Sequence, residues 1–597
     1  MKTLHLFNSV PTSATQKTRG WCILPEYGII VEPSASHLLT KIKKFYSEKA
    51  LTGNQLNKTF HKSWAKVINS TREDLLVDQI MHYMSTYGAG HTSNFVYTPD
   101  EELNVPEVTL NFLVVRGLSN DELTKKCLGM FGSGIAMANE TITDVFDVLD
   151  NCDYTFTGEE DIKNKEALMF ICKERNIVPS DPVEQVRYLY FTATGETLLI
   201  KNKDSYEKIK ESNTATRRDL NNILKNMDED TLAEVFNRFK PIFMSFKSIL
   251  NEAGKKKINR ISKLSKELHK PMPTNILNNI GVCTLEELKK QKDNLMNANF
   301  FQLARCLNYL KNAESKYKIY SVRNGKAFVK EDETTVRAAK GKIGFLITII
   351  KQKFDLKGKN IFIPADVLYA LPTSEKNYLG NVPMGTKFMT EGRIASGIYW
   401  ENEGGATDLD LSALSVNGKV GWNSSYHGEV TYSGDMTDAR NGATEYISAD
   451  ATLKSPHLIT NNVFSGLPNG SKFKVIFGKG DDINKAYMMN PNNVWFTADA
   501  ETLNKQSIVG LIKKEGKNNV AIAVNLTLGG SSVSSNDEKS IMAREALVDK
   551  WSNVFYINSL LEKCGANVIT EMKADTVVDV DLTPSKLEKD TILKLFV

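Results

Sequence analysis

Five consecutive residues, Asp408-Leu409-Asp410-Leu411-Ser412, carry the clearest chemistry in the chain. The period of two that a strand imposes puts Asp408, Asp410 and Ser412 on one face and turns Leu409 and Leu411 to the other. Two carboxylates side by side repel unless water or a cation neutralises them, and hard oxygen ligands suit calcium or magnesium better than zinc. The plainer alternative is a strand end open to water. A second acidic element follows in Tyr432-Ser433-Gly434-Asp435-Met436-Thr437-Asp438, then Gly442-Ala443-Thr444-Glu445-Tyr446-Ile447. Its glycine-bearing loop can fold carbonyl groups and Asp435 toward the same ion.

A different chemistry is written in Lys255-Lys256-Lys257-Ile258-Asn259-Arg260-Ile261-Ser262-Lys263-Leu264-Ser265-Lys266-Glu267-Leu268-His269-Lys270. On a helix, Ile258, Ile261, Leu264 and Leu268 form one apolar stripe. The cations Lys255, Lys256, Lys257, Arg260, Lys263, Lys266 and Lys270 occupy the rest, a face suited either to RNA or DNA phosphates or to plain solvation. No aromatic residue is interleaved, which counts against single-strand recognition. His82 and His91 are nine residues apart, which is not a helical ligand spacing, and no third ligand is evident. Ser433-Gly434-Asp435 lacks the G-x-S-x-G geometry, and Gly478-Lys479-Gly480 and Gly529-Gly530-Ser531-Ser532 lack the phosphate-loop spacing. With no catalytic constellation in view, a non-enzymatic protein is expected.

The elements that must position these groups fall into three stretches. Ser70-Thr71-Arg72-Glu73-Asp74 caps a helix running to Tyr87 through the apolar positions Leu75, Leu76, Ile80, Met81 and Met84, and Gly88-Ala89-Gly90 stops it. Val108, Leu110, Phe112, Val114 and Val115 then read as a strand. From about Asp181 to Lys311 apolar residues recur at three and four, with Pro241 expected to divide or kink the pattern near Phe239-Lys240. Asn324-Gly325 offers a hairpin turn. Beyond Lys351 short alternating runs separated by Gly, Asn, Asp and Pro predict an all-β sandwich. After Asp537, MAREALVDKWSNVFYINSLLEKCG returns to helical spacing.

Bulk properties narrow the class. A chain of 597 residues needs more than one core. A formal charge of +4 is too balanced for a global nucleic-acid or membrane argument, so any such claim needs a local patch. Ile343 to Ile350 is far shorter than the roughly 18 apolar residues of a membrane span and reads as a buried strand or core helix. Seven scattered cysteines with no CxxC pair make a disulfide framework unexpected and suit a reducing compartment. The first residues lack the apolar run of a signal peptide, so a cytoplasmic protein is expected.

The order of the acidic motifs is similar to that of a known family. DLDLSAL, a short hairpin, YSGDMT and GATEYI resemble the DLD strand, SGD loop and following acidic segment of the tellurium-resistance TerD domain, over about residues 385 to 530. That resemblance implies a calcium-binding β-sandwich tied to bacterial stress and tellurite-resistance systems, with Asp408, Asp410, Ser433, Asp435 and Glu445 at the ion. The segment Asp438 to Glu445 departs from the family by supplying two acids with Arg440 between them, where many members carry a run of acids. Fewer charges imply weaker binding or one ion in place of two. Arg187-Tyr188-Leu189, Thr194 to Lys201, Arg238-Phe239-Lys240-Pro241 and Leu371-Pro372-Thr373-Ser374 with Gly380, Asn381 and Pro383 also look like larger TerD-domain proteins.

The expectation is an α+β multidomain chain. It has a mixed N-terminal region (1–180), a helical middle (181–325), a TerD-like β-sandwich (326–537) and a terminal helical segment packed on it (538–597). Its expected role is as a calcium-binding scaffold that meets a protein partner or its own copies in a bacterial or phage stress-related system, with no membrane span and no identified small-molecule substrate. The alternatives are an RNA-binding protein that uses the basic helix, and a structural component of a phage particle or other large assembly, which would place it in the virion.

Overall fold

A computed structural model describes residues 1–13, 15–16, 18–62, 64–87, 112–313, 315, 317–322, 326–331, 336, 338–480, 489–528, 538–573 and 576–596. The chain is multidomain and α+β, with a β-rich C-terminal region. It divides into two compact units, one built from residues 3–119 with 280–596, the other from 120–279. Val108, Leu110, His91, the Gly88-Ala89-Gly90 stop, Asn324-Gly325 and Gly529 to Ser532 lie outside the described residues.

Residues 120–279 form a helical unit. Short polar residues begin its helices: the Asp181, Asn202, Asn213, Asp228 and Asn251 side chains each accept a backbone N–H of the turn that follows. Pro241 divides the apolar pattern as expected. One helix ends at Phe236 and the next, Lys240–Ile249, takes the proline in its first turn, where its missing N–H has no intrahelical partner to lose. Phe236, Phe243, Phe246, Ile258 and Ile261 meet in one core with Tyr188 and Leu189. The family-like Arg187 and Arg238 are structural here. Arg187 donates to Glu184 and to the Thr197 carbonyl, and Arg238 donates to the Lys270 and Pro271 carbonyls.

The expected boundary of this unit is corrected at both ends. It begins at Asn120, not at 181, and helices from Leu285 onward belong to the other unit. Phe300–Lys311 packs there through Phe300, whose ring stacks on Phe596. Residues Ile343 to Ile350 lie within the helix Ala339–Lys353, with Leu346, Ile349 and Ile350 buried.

Two sheets make the sandwich, antiparallel throughout except where Lys326–Glu331, itself paired with Tyr317–Val322, joins Asn518–Leu528 of the larger sheet in parallel. The larger runs in the order Lys419–Gly421, Asp408–Leu414, His457–Ser465, Gln506–Glu515, Asn518–Leu528, Lys387–Thr390 and Val367–Leu368. The smaller runs Thr431–Tyr432, Ala443–Ala449, Ile394–Trp400, Lys472–Lys479 and Val494–Glu501. Phe388 of the first lies 5.9 Å from Phe477 and 5.8 Å from Phe496 of the second, so aromatic rings fill the space between them.

Sandwich strands ordinarily alternate buried and exposed residues, yet Ile394–Trp400, Asp408–Leu414 and Ala443–Ala449 are buried throughout. Both outer faces are covered. The helix Glu538–Ser552 lays Ala543, Leu547 and Trp551 on Leu414, Leu458, Leu511 and Ile522 of the larger sheet. Leu56 and Trp64 cover Ala395, Tyr399, Tyr446 and Ile476 of the smaller one. Backbone bonds fix that N-terminal cover: Thr444 N–H donates to the Lys58 carbonyl, and the Thr444 hydroxyl to the Gln55 carbonyl at 2.7 Å. The first 119 residues therefore belong to the sandwich unit, a second correction to the expected division. Their own sheet, in the order Ser9–Pro11, Leu113–Leu118, Ile29–Val31 and Cys22–Leu24, mixes parallel and antiparallel pairs.

The C-terminal segment is not wholly helical. Asn567–Ile569 and Val580–Asp581 flank Asn360–Phe362 in a small parallel sheet, where β-branched residues favour extended backbone over helix. None of the seven cysteines is in a disulfide. No helix of the described residues is long and apolar enough to cross a membrane.

If the N-terminal cover is part of the sandwich, Leu56→Ala should cost about 2–5 kcal/mol of unfolding free energy by chemical denaturation. Hydrogen exchange at the Thr444 amide, which donates to Lys58, should speed up in the same variant.

Candidate metal centre

The Asp408–Leu414 strand brings Asp408 and Asp410 to one face, as the period of two requires, and the loop after Thr431–Tyr432 brings Asp435 across to them. Each of the three aspartates offers a carboxylate oxygen, and these oxygens all lie within 4.8 Å of one another. Two ligands on opposite sides of a calcium ion, each at about 2.4 Å, stand at about that separation. The three residues are 2%, 4% and 5% exposed, so the strand end is buried.

Glycine at 434 lets the loop make this turn. Its φ is 102°, and an added Cβ would stand 3.0 Å from the Phe60 ring and 3.2 Å from that of His61. Ser433 locks the loop to the neighbouring strand: its N–H donates to the Tyr446 carbonyl, and its hydroxyl oxygen accepts the Tyr446 N–H at 2.8 Å. Glu445 reaches from the smaller sheet into the gap between the sheets. One of its carboxylate oxygens accepts the Leu411 N–H at 2.6 Å, and the other accepts the Met436 N–H at 2.9 Å. Ser433 and Glu445 thus hold the loop and the strand in place, whereas the aspartates supply the oxygens that converge.

Asp408 Oδ1, Asp435 Oδ1 and the Ser412 hydroxyl are buried and make no hydrogen bond among the described residues. Such atoms are costly to bury without a partner, and a cation supplies one. Burial, with the neighbouring charge of Asp435, pushes the Asp408 carboxyl up to about 7. Asp410 is raised by burial and then by Asp435 and Asp408, against the opposing pull of Lys419. Asp435 rises to about 6 through burial, held back by the Gln79 amide, which donates to Asp435 Oδ2 at 2.6 Å. Glu445 is raised well above the usual range by burial and by the charges of Asp435 and Asp410.

Gln79 carries no sequence signal of this role. It sits on the helix Arg72–Tyr87, accepts the Tyr426 hydroxyl at 2.9 Å, and so ties the N-terminal region to the acid cluster. The same helix runs to Tyr87 as its capping residues imply, with most of its apolar positions exposed. Leu75 is fully buried, but Leu76, Ile80, Met81 and Met84 are 50%, 49%, 44% and 62% exposed. Leu76, Ile80 and Met84 instead wall a cavity of about 450 Å³ together with Trp422 and Phe464, with the three aspartates also lining it. Sequence does hold a trace of this wall, because Trp422 directly follows the strand Lys419–Gly421 that pairs with the acidic one.

The basic helix, Glu252–Leu268, buries Ile258 and Ile261 as its stripe predicts, while Leu268 stays exposed at the helix end. Much of its charge is satisfied within its own unit. Arg260 pairs with Glu229 through both carboxylate oxygens, Lys270 with Glu234 and Lys255 with Glu252, and Lys257 donates to the Lys225 and Met227 carbonyls. Lys256, Lys263 and Lys266 are exposed. His82 packs on the Phe60 ring at 4.6 Å, with its pKa lowered mainly by burial.

No family model, curated protein or solved structure matches this chain.

Carboxyls whose folded pKa exceeds the unfolded value hold protons that the unfolded chain has already released, so their contribution to stability is present at low pH and is lost as pH rises through the folded value. In chelator, the melting temperature should therefore fall between pH 5 and pH 8, and Asp408→Asn with Asp410→Asn should flatten that slope. Thermal melts across this range check it.

Proposed function

We propose that this protein is a non-enzymatic calcium-binding scaffold of the TerD kind, whose ion sits on Asp408, Asp410 and Asp435. One observation carries the reading: three aspartates from two separate strand ends converge in a buried place, with oxygens on Asp408 and Asp435 that nothing among the described residues satisfies. Calcium takes six to eight oxygen ligands, so three aspartates leave room for carbonyl oxygens or water. The bound ion would neutralise repelling carboxylates and tie the strand to the loop. Ser433 and Glu445 act in this reading through position, by fixing the backbone that carries Asp435 and Asp410.

The apolar wall beside the acids supports a binding role. With the aspartates neutralised, the cavity bounded by Leu76, Ile80, Met84, Trp422 and Phe464 presents a hydrophobic surface next to a fixed charge, the composition of a recognition site. In this reading the protein works in a bacterial or phage stress-related system, and cysteines outside disulfides support a reducing compartment such as the cytoplasm.

Calorimetric titration of the full chain with calcium should show saturable binding that disappears in Asp408→Asn with Asp410→Asn. At free calcium of 100 times Kd the ion should add about 2.7 kcal/mol to stability, seen as a rise in melting temperature that chelator reverses. An unchanged melt with and without calcium would count against the reading. Glu445→Gln should destabilise the fold by about 1–3 kcal/mol, because its amide turns a donor toward a backbone N–H that a carboxylate oxygen now accepts.

A further inference from the structure

A second cavity, of about 230 Å³, shares no lining residue with the acidic one. The helix Phe300–Lys311 contributes Arg305 and Asn308 to its lining, the segment 371–384 contributes Leu371 and Asn377, and the C-terminal helix contributes Lys550 and Trp551. Part of the family-like stretch, Leu371, Thr373 and Pro383, thereby acquires a place in a wall.

Its chemistry is the opposite of the first cavity's. Two cations line it, and no aspartate or glutamate stands among its described lining residues. Burial holds the Lys550 ammonium down to about 8, and an anion placed beside it would favour its charged form. Trp551 is 8% exposed, and its indole N–H makes no hydrogen bond among the described residues. A buried indole N–H ordinarily finds an acceptor. The ring is held where it is: Gly385, with φ at 96°, packs so close that an added Cβ would stand 3.0 Å from it.

Two of the nearby amides bond to the scaffold, although Asn312 Oδ1 makes no hydrogen bond among the described residues. Asn308 accepts the Phe555 N–H at 3.2 Å and donates to the Leu371 carbonyl at 3.4 Å, and Asn312 donates to the Asn308 carbonyl at 2.9 Å. They brace the walls on which Arg305, Lys550 and the Trp551 indole stand. Leu371, Met384, Leu526 and Val554 make the rest of the lining apolar. At 230 Å³ the space is below the roughly 300–1,000 Å³ of sites for drug-sized ligands, so its occupant is small.

We propose that this cavity binds a small organic oxyanion, a carboxylate or phosphate ester on a flat apolar body, with Arg305 and Lys550 on the anionic oxygens and Trp551 Nε1 donating to one of them. The site is independent of calcium, so either reading can fail without the other.

Phenyl phosphate is the probe, titrated into the full chain in chelator and followed by ligand-observed NMR. Saturable binding is expected, about tenfold tighter than that of phenol or of inorganic phosphate, because each lacks one half of the recognised chemistry. Arg305→Gln with Lys550→Gln should weaken phenyl phosphate about tenfold or more while leaving phenol unchanged. Trp551→Phe keeps the apolar ring and removes the N–H, and should weaken phenyl phosphate several-fold, on the order of one lost hydrogen bond. Arg305→Gln alone alters an exposed side chain and keeps the test open if the double variant fails to fold. Equal binding of phenol and phenyl phosphate, wild-type affinity in the Arg305 and Lys550 variants, or no saturable binding of phenyl phosphate would each overturn the proposal.

Discussion

A single buried carboxylate couples the two sheets at the acidic end of the sandwich. Glu445 stands in the middle of Ala443–Ala449, a strand of the smaller sheet, and accepts the Leu411 N–H of the larger sheet with one oxygen and the Met436 N–H of the intervening loop with the other. Both bonds are to backbone, so they fix the main chain that carries Asp410 on one side and Asp435 on the other. Removing such an acceptor leaves two buried N–H groups to be satisfied elsewhere, which is why the geometry of the aspartates depends on a residue that is not itself among the converging three.

Burial on both sides of the strands is what gives this arrangement its electrostatic character. A sandwich with solvated outer faces would let water reach Asp408 and Asp435. Here the segment around Leu56 and Trp64 closes one face, the helix Glu538–Ser552 closes the other, and the helix Arg72–Tyr87 sets Gln79 against Asp435. Buried carboxylates held this close either keep protons or take a cation, and burial raises the pKa values of Asp408 and Asp435. Two of the covering helices also wall a cavity each: Arg72–Tyr87 the acidic one and Glu538–Ser552 the basic one. One is acidic with apolar walls and one is basic with apolar walls, and each is assembled from segments hundreds of residues apart.

The helical unit makes a contrast. Its basic helix looks like a charged surface in sequence, yet Glu229 pairs with Arg260, Glu252 of its own first turn pairs with Lys255, and Glu234 pairs with Lys270 just beyond its end. Exposed pairs of this kind add little stability, but they reduce the field that a phosphate backbone would meet.

Local pattern was enough for much of this protein. The period of two in Asp408 to Ser412 determined a strand with its acids on one face, the capping residues and Pro241 determined where helices begin and divide, and the Gly-bearing Ser433-Gly434-Asp435 loop was legible as a turn carrying an acid. These features depend on backbone dihedrals and on neighbours within a few residues, which sequence states directly. What it did not state was which distant segments share a core. That Lys58 bonds to Thr444, that Gln79 reaches Asp435, that Glu445 spends its oxygens on Leu411 and Met436, and that Arg305 and Lys550 line one cavity are outcomes of packing between segments far apart in the chain. Hydrophobic burial has no direction, so the apolar residues of 51–64 announce that they need a face to cover and leave the choice of face to the tertiary structure.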